Sequence, residues 1–227
     1  MIKIAISSVK NFSDYTLPVL IPSLLESGIA AEDIYIFEGG HTERSVEDYN
    51  GSTLIKVAHN SFDLTALIDI AENEVESEYW FLMHCTCTVG PKFGELVKNI
   101  PEDKPDAVSL GVLHDSNYSN MNIGAYKYTF ILENKDKLSA LKSTDYSPEG
   151  VRASKHIALA AEDLLLSQHK NQRPYEPRYN PDLYEEFEAM VPNPFGGSAI
   201  RRMRYFGALD LYKYQANWGN PNHVLEL

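Results

Sequence analysis

Tyr79-Trp80-Phe81-Leu82-Met83-His84-Cys85-Thr86-Cys87-Thr88-Val89-Gly90-Pro91-Lys92-Phe93 carries the pattern that decides the fold. The uncharged run Tyr79 to Met83 reads as a strand buried on both faces, which is the habit of parallel sheets. It turns polar at His84 and is broken at Gly90-Pro91. Upstream, Ile2 to Ile6 reads as a first strand followed by a polar loop from Ser7 to Tyr15. Ile34 to Phe37, closed by Glu38-Gly39-Gly40, is a second strand, and Leu54 to Ala58 a third. Leu17, Leu20, Ile21, Leu24 and Leu25 fall on one face of a helix, with Thr16 as its N-cap and Gly28 as its stop. Pro22 predicts a kink there, or a later start. Leu64, Leu67, Ile68, Ala71 and Val75 make a second helical stripe. Strands alternating with helices predict an α/β fold: a mainly parallel, Rossmann-like sheet with helices on both faces. In such sheets ligands sit beyond the carboxyl ends of the strands. The rim would be built by Ser7–Ser13, Glu38–His41, His59–Phe62 and His84–Pro91.

The second half is less regular. Ala107 to Leu113 reads as a strand and Ile123 to Leu132 as another, rich in Tyr and Phe. Ile157, Ala160, Ala161, Leu164 and Leu165 mark a helix from about Val151 to His169. From Asn171 onward Pro174, Pro177, Pro181, Pro192 and Pro194 punctuate the chain. The expected division is an α/β domain over residues 1–170 and an irregular C-terminal lid or tail, 171–227, packed on it.

Composition narrows the function classes. The 227 residues are 44% hydrophobic and 23% charged, enough for one domain with a substantial core and no disordered character. Twenty basic against 32 acidic residues leave a net charge of −12, a field that disfavours DNA, RNA and anionic membranes as partners. The two cysteines, Cys85 and Cys87, form no disulfide framework. The opening Met1-Ile2-Lys3-Ile4-Ala5-Ile6 runs straight into Ser7-Ser8 and lacks a signal-peptide core. No apolar stretch is long enough to span a bilayer. A cytoplasmic protein is expected.

Strand, helix, strand ending in polar residues, a loop beginning with Asn60, helix, then the apolar strand Tyr79 to Met83: this order resembles a GT-A-type glycosyltransferase. Val89-Gly90-Pro91-Lys92-Phe93 is similar to the Pro-x-Phe tail that follows the family's metal-binding Asp-x-Asp motif. The resemblance covers residues 1–170 and implies that this stretch binds a nucleotide sugar. Where the family places carboxylates, this chain has His84-Cys85-Thr86-Cys87. Mg and Mn prefer oxygen ligands, so the need for a divalent metal is left open, with His84 as one candidate ligand. Without a metal, Arg, Lys or backbone donors would stabilise the departing diphosphate. The alternative for His84 and both thiols is a packed strand end.

The resemblance implies roles for particular residues. Ser7, Ser8, Asn11 and Glu38 would contact the donor's base and ribose, and Asn60, His84 and Thr86 complete the donor rim. In Glu162-Asp163, on the two flanks of the 151–169 helix, Asp163 would be the general base and Glu162 would orient acceptor or base. Asp115 and Asn117 would bind acceptor hydroxyls, or form an ordinary Asx turn. Gly196-Gly197 followed by a helix from about Ser198 would bring Arg201 and Arg204 onto one face, as a clamp for the diphosphate. The same arginines read equally well as a surface helix pairing with carboxylates.

The leading expectation is therefore a glycosyltransferase moving a sugar from a nucleotide-sugar donor to an acceptor hydroxyl. The acceptor is a saccharide, a lipid-linked glycan or a modified DNA base, the last disfavoured by net charge unless Arg173, Arg178 and the 201–204 arginines line one groove. The main alternative is a non-catalytic nucleotide- or glycan-binding module on a degenerate transferase fold. A metal-dependent hydrolase using His41, His59, His84 and His114 is a third class, without ligand-like spacing.

Overall fold

The computed structural model describes residues 1–103, 106–110, 112–114, 117–119, 122–161, 172–175, 184–187, 194–195 and 203–214. The chain opens with β1 (Ile2–Val9), α1 (Lys10–Glu26), β2 (Ile34–Gly39), β3 (Ser45–Tyr49), β4 (Ser52–Val57), α2 (Thr65–Asn73) and β5 (Tyr79–His84). Next come β6 (Cys87–Val89), α3 (Phe93–Lys98), β7 (Ala107–Leu110), β8 (Val112–His114), β9 (Asn117–Ser119) and β10 (Gly124–Lys127). Then follow α4 (Tyr128–Glu133), α5 (Lys135–Ser139), α6 (Pro148–Ala160), β11 (Gln172–Tyr175), β12 (Tyr184–Phe187), β13 (Met203–Phe206) and β14 (Leu211–Tyr214).

Eight strands form the main sheet in the order β11-β7-β10-β5-β1-β2-β4-β3. β4, β2, β1 and β5 run parallel, β10 runs against both β5 and β7, and β3 runs against β4. This is the expected mainly parallel α/β sheet, with one antiparallel strand inside it and one at an edge. All of β5 is buried, because both faces are covered. On one face Ile4, Ile6, Phe81 and Met83 meet Leu17, Leu20 and Leu24 of α1 and Phe93 of α3, with Phe81 edge-on to Phe93 at 5.3 Å. On the other, Ala5, Phe37, Trp80 and Leu82 meet α2, α4 and α6, and Tyr35 and Phe37 stand edge-on to Trp80. A second, four-stranded sheet, β12-β13-β14-β6, starts where β5 ends. It is tied to the main sheet through the Cys85-Thr86 turn.

Several local expectations need correction. Ser7 to Tyr15 is no loop: β1 runs on through Val9 and α1 begins at Lys10, so Thr16 is not the N-cap. The strand continues because its hydroxyls are satisfied inside the protein. Ser7 Oγ donates to the Asp63 carbonyl, and Ser8 Oγ pairs with Ser13 Oγ. Thr16 Oγ1 instead donates to the Phe12 carbonyl within α1, at 2.9 Å. The helix runs through both Pro18 and Pro22, four residues apart on its exposed side.

The aromatic run after Ile123 stays extended only to Lys127; Tyr128–Glu133 is helical. There tertiary packing overrides β-propensity, because adjacent Phe130 and Ile131 both bury in the α2-side core. α6 is turned part-way from its apparent stripe, of which Ala161 is buried. Ile157 is 41% exposed, while Gly150, Ser154, Ala158 and Ala161 turn inward. These small residues let the helix approach the His59-Asn60 loop, to which Ser154 Oγ donates at the Asn60 carbonyl, 2.8 Å away. The helix ends at Ala160, and the rest of the expected 151–169 span lies outside the described residues.

Candidate functional site

Because β1, β2, β4 and β5 are parallel and adjacent, the polar residues ending each of them collect at one rim. Ser7 is level with Phe37 on β2 and with His84 on β5, and Ser8 is level with Glu38. Ser7 Oγ donates to the Asp63 carbonyl at 3.0 Å and accepts from the Ala66 amide at 3.2 Å. The side chain of the same Asp63 faces His84, with Oδ1 3.3 Å from Nε2 and both side chains largely buried. Ser7, Asp63 and His84 thus form one cluster, closed by the Cys85 amide on the Ser7 carbonyl. Ser8 turns away toward α1. Ser13 Oγ already donates to the Val9 carbonyl, so the shared proton comes from Ser8. Asn11 lies exposed on the first turn of α1.

The loop after β4 is folded on its own hydrogen bonds. The Asn60 backbone N–H donates to the Ser143 carbonyl (2.9 Å), and its side-chain Oδ1 accepts from the Phe62 backbone amide (3.3 Å). Ser61 Oγ accepts from the Ser143 amide and sits 2.9 Å from His59 Nδ1. His59 Nε2 is buried without a partner among the described residues. Burial, helped by the charge of Lys142, pushes the His59 pKa down to about 4, so the ring is neutral at pH 7. A side chain on Gly39 would meet the His59 carbonyl at 2.7 Å, so only glycine lets β2 end against this loop.

At the end of β2, Glu38 Oε2 lies 2.5 Å from His41 Nε2, both nearly enclosed. The segment holding His41 is pinned at several points. Gly40 and His41 amides donate to the His59 and Val57 carbonyls, and Tyr146 Oη donates to the His41 carbonyl. Arg44 grips buried Asp69 with Nε and Nη2 at 3.1–3.2 Å. Burial raises the Asp69 pKa, and Arg44 counters it.

Beyond β5 different groups line the chain. Cys85 and Cys87 are buried free thiols, and burial pushes the Cys87 pKa up to about 11. Between them, Thr86 accepts a hydrogen bond from Lys213 Nζ at Oγ1, and its carbonyl accepts from the Tyr214 amide. Asp210, at positive φ in the β13–β14 turn, accepts from the Lys92 amide (3.0 Å) and Tyr205 Oη (3.1 Å). Its own carbonyl accepts from the Gly90 amide at 2.7 Å. A Cβ on Gly90 would collide with this carboxylate.

The structure thus brings Ser7, Glu38, Asn60, His84 and Thr86 to one rim, leaves Asn11 exposed beside it and turns Ser8 into α1. Arg204 does not share a helix face with Arg201: it lies on β13, directly opposite Lys213 of β14. Glu162, Asp163, Asp115 and Arg201 lie outside the described residues. Asn117 is placed by its backbone on β9, paired with His114. Sequence reasoning missed Asp63, Lys213 and Asp210. Asp63 carried a usable signal, since it is the one acid between the third strand and the apolar helix, three residues after Asn60.

A hard divalent cation does not fit the described residues. Among the described residues Asp63 is the carboxylate that pairs with His84, the thiols are buried, and a lysine ammonium stands at Thr86. Among the described residues no three His, Cys, Asp or Glu side chains converge on a common point, and no helix among them is long and apolar enough to cross a membrane.

No protein-family model and no curated protein matches this sequence. Solved structures do match. A chain described as a glucose-1-phosphate thymidylyltransferase from Bacillus anthracis, solved with sucrose, aligns at 12% identity and a TM-score of 0.45. The match covers 78% of this chain and 87% of that one. TarS residues 1–349 from S. aureus align with UDP at 12% identity and TM-score 0.40, and with UDP-GlcNAc at 12% and 0.39. This chain spans 61% and 53% of those two TarS chains.

Proposed function

We propose that the protein is a nucleotide-sugar-dependent glycosyltransferase whose donor lies across the carboxyl ends of β1, β2, β4 and β5. The observation carrying this reading is the gathering of polar groups at the carboxyl ends of β1, β2 and β5, joined by Asp63 from the turn after β4 and by Lys213 from β14. Hydroxyl and carboxylate groups (Ser7, Glu38, Asp63) meet the imidazole of His84, and beyond it stands Lys213 with Arg204 opposite it on β13. The first set suits the hydroxyls and ring edges of a nucleoside, the second the diphosphate. Ser8 is not a donor ligand in this arrangement, and Asn11 reaches the donor from the first turn of α1. Asp163 serves as general base and Glu162 as its orienting neighbour, with Asp115 and Asn117 toward the acceptor. These assignments come from the family resemblance. A hydroxylated glycan is the favoured acceptor over a DNA base because the chain carries a net charge of −12.

The test is thermal unfolding with UDP-, GDP-, CMP- and dTDP-sugars, each with EDTA or with Mn. A donor at a hundred times its dissociation constant stabilises the native state by about 2.7 kcal/mol. One nucleotide class should give that shift, and His84→Ala and Asp63→Asn should reduce it. No shift with any donor sinks the reading. A second reading, a binding module without turnover, draws on the absence of carboxylates from His84 to Cys87. Donor binding with neither hydrolysis nor transfer across an acceptor panel would favour it.

A further inference from the structure

Lys213 is half-buried, yet among the described residues it forms no ion pair. Its ammonium donates to the Thr86 hydroxyl and, at 3.3 Å, to the Tyr214 carbonyl. Lys3, equally enclosed at the opposite end of β1, has the rings of Tyr35 and Trp80 4.8 and 5.9 Å from its ammonium. No ring offsets Lys213 in that way among the described residues. Its place in the second sheet sharpens the point. One row across that sheet reads Glu186, Arg204, Lys213, Cys87. The row's acid stands in register with Arg204, whereas Lys213 has an arginine on one side and a neutral buried thiol on the other. Like charges directly opposite across strands repel. An anion lying against Lys213 would offset that repulsion. The ammonium is also at the rim, since Thr86 follows His84 by two residues and the intervening Cys85 amide is bonded to Ser7.

We propose that Lys213, with Arg204 beside it, is the subsite for the donor's diphosphate, supplying at the His84–Thr86 turn the positive charge that the residues there cannot hold as a divalent ion. This rests on the donor-site reading above for the identity of the ligand, but not for its charge. In the transfer step the acceptor oxygen bonds to the anomeric carbon, and its proton goes to the general base. The bond from that carbon to the diphosphate oxygen breaks with its electron pair on the oxygen. Lys213 balances the charge that appears there and gives up no proton.

The probe is inorganic diphosphate, titrated calorimetrically in EDTA against wild type, Lys213→Gln and Lys213→Arg, with UDP-glucose and uridine in parallel. Glutamine keeps a donor to Thr86 while removing the charge. The expected result is diphosphate binding by wild type without metal, weakened at least tenfold in Lys213→Gln and largely retained in Lys213→Arg. Any uridine affinity should be unchanged. That pattern supports the subsite even if no nucleotide sugar binds, which would then count against the donor reading alone. Donor binding that ignores Lys213→Gln overturns the subsite and leaves the donor reading standing. Wild type that fails to bind diphosphate in EDTA, or binds it only with Mn, overturns the subsite whether or not the variants fold.

Discussion

On the β1–β2–β4 side of the rim, polar groups are bonded within the protein, mostly to its backbone. Ser7 is shared between Asp63 and Ala66, Asn60 is spent on Phe62 and Ser143, and Glu38 is held by His41. On the β5–β6–β14 side, the carboxylate of Asp210 serves the backbone of the β6–α3 connection, while Lys213 and Arg204 stand opposite one another. The difference lies in what each half is left able to bind. In the first half each of these groups is already oriented by a neighbour. The second places the Lys213 charge where no carboxylate among the described residues pairs with it, so it gains most from an anion. If the proposed donor binds here, preorganisation on one side and unbalanced charge on the other would divide its nucleoside from its phosphates.

The largest expected effect tests the first half. His59 is 2% exposed, with a folded-state pKa of about 4 against 6.5 for a free imidazole. Between those values the unfolded chain binds the extra proton, so stability is full above pH 6.5 and falls as the pH drops toward 4. At 1.36 kcal/mol per pH unit the total loss is about 3 kcal/mol. Urea unfolding of wild type and His59→Gln from about pH 4 to 7 should therefore give curves that converge toward low pH. If the two run parallel, His59 is hydrated and the first half is more open than the burial of this ring implies.

Asp210 tests the second half. Alanine there would leave the Lys92 amide and Tyr205 hydroxyl without their acceptor and would place a Cβ residue lacking local compensation at φ +52°. A loss of about 2 kcal/mol is expected, read as a lower denaturant midpoint at constant slope. Asp210→Asn keeps an acceptor and tolerates the left-handed backbone, so it should lose less. Equal losses would mean that charge, not geometry, holds the β13–β14 turn to Gly90.

How far the sequence led follows the same division. The parallel strands and the rim at their carboxyl ends were legible because an unbroken apolar run as short as Tyr79–Met83, ending in polar residues, suits a strand covered on both faces and little else. Local signals misled where tertiary contacts outweighed them. Ser7 and Ser8 looked like loop residues because their partners, Asp63, Ala66 and Ser13, come from other turns of the chain. Ile157 looked like a core residue, yet α6 buries its small residues to come close to Asn60. Arg204 looked helical beside Arg201, because nothing local reveals that β13 pairs with β12 and β14. Lys213, some 127 residues from Thr86 in sequence, had no local signature at all.

The smallest expected effect concerns Cys87, which separates a packed second half from an open one. Its thiol is fully buried in the core on the α1 side, and a pKa of about 11 leaves roughly one part in a thousand as thiolate at pH 8. Lys213, its cross-strand neighbour, pulls that value down, but burial outweighs it. Native protein treated with iodoacetamide at about pH 8 should therefore leave Cys87 unmodified over the time in which the denatured chain reacts fully, as peptide mass analysis would show. Lys213→Gln removes the favourable charge without uncovering the sulfur, so labelling should stay as slow or become slower. Fast labelling of Cys87 in wild type would require the β6–β14 edge of the second sheet to come away from the α1-side core. The Lys213 ammonium would then no longer be fixed at the rim, and the contrast between a preorganised half and a charged half would lose its structural basis.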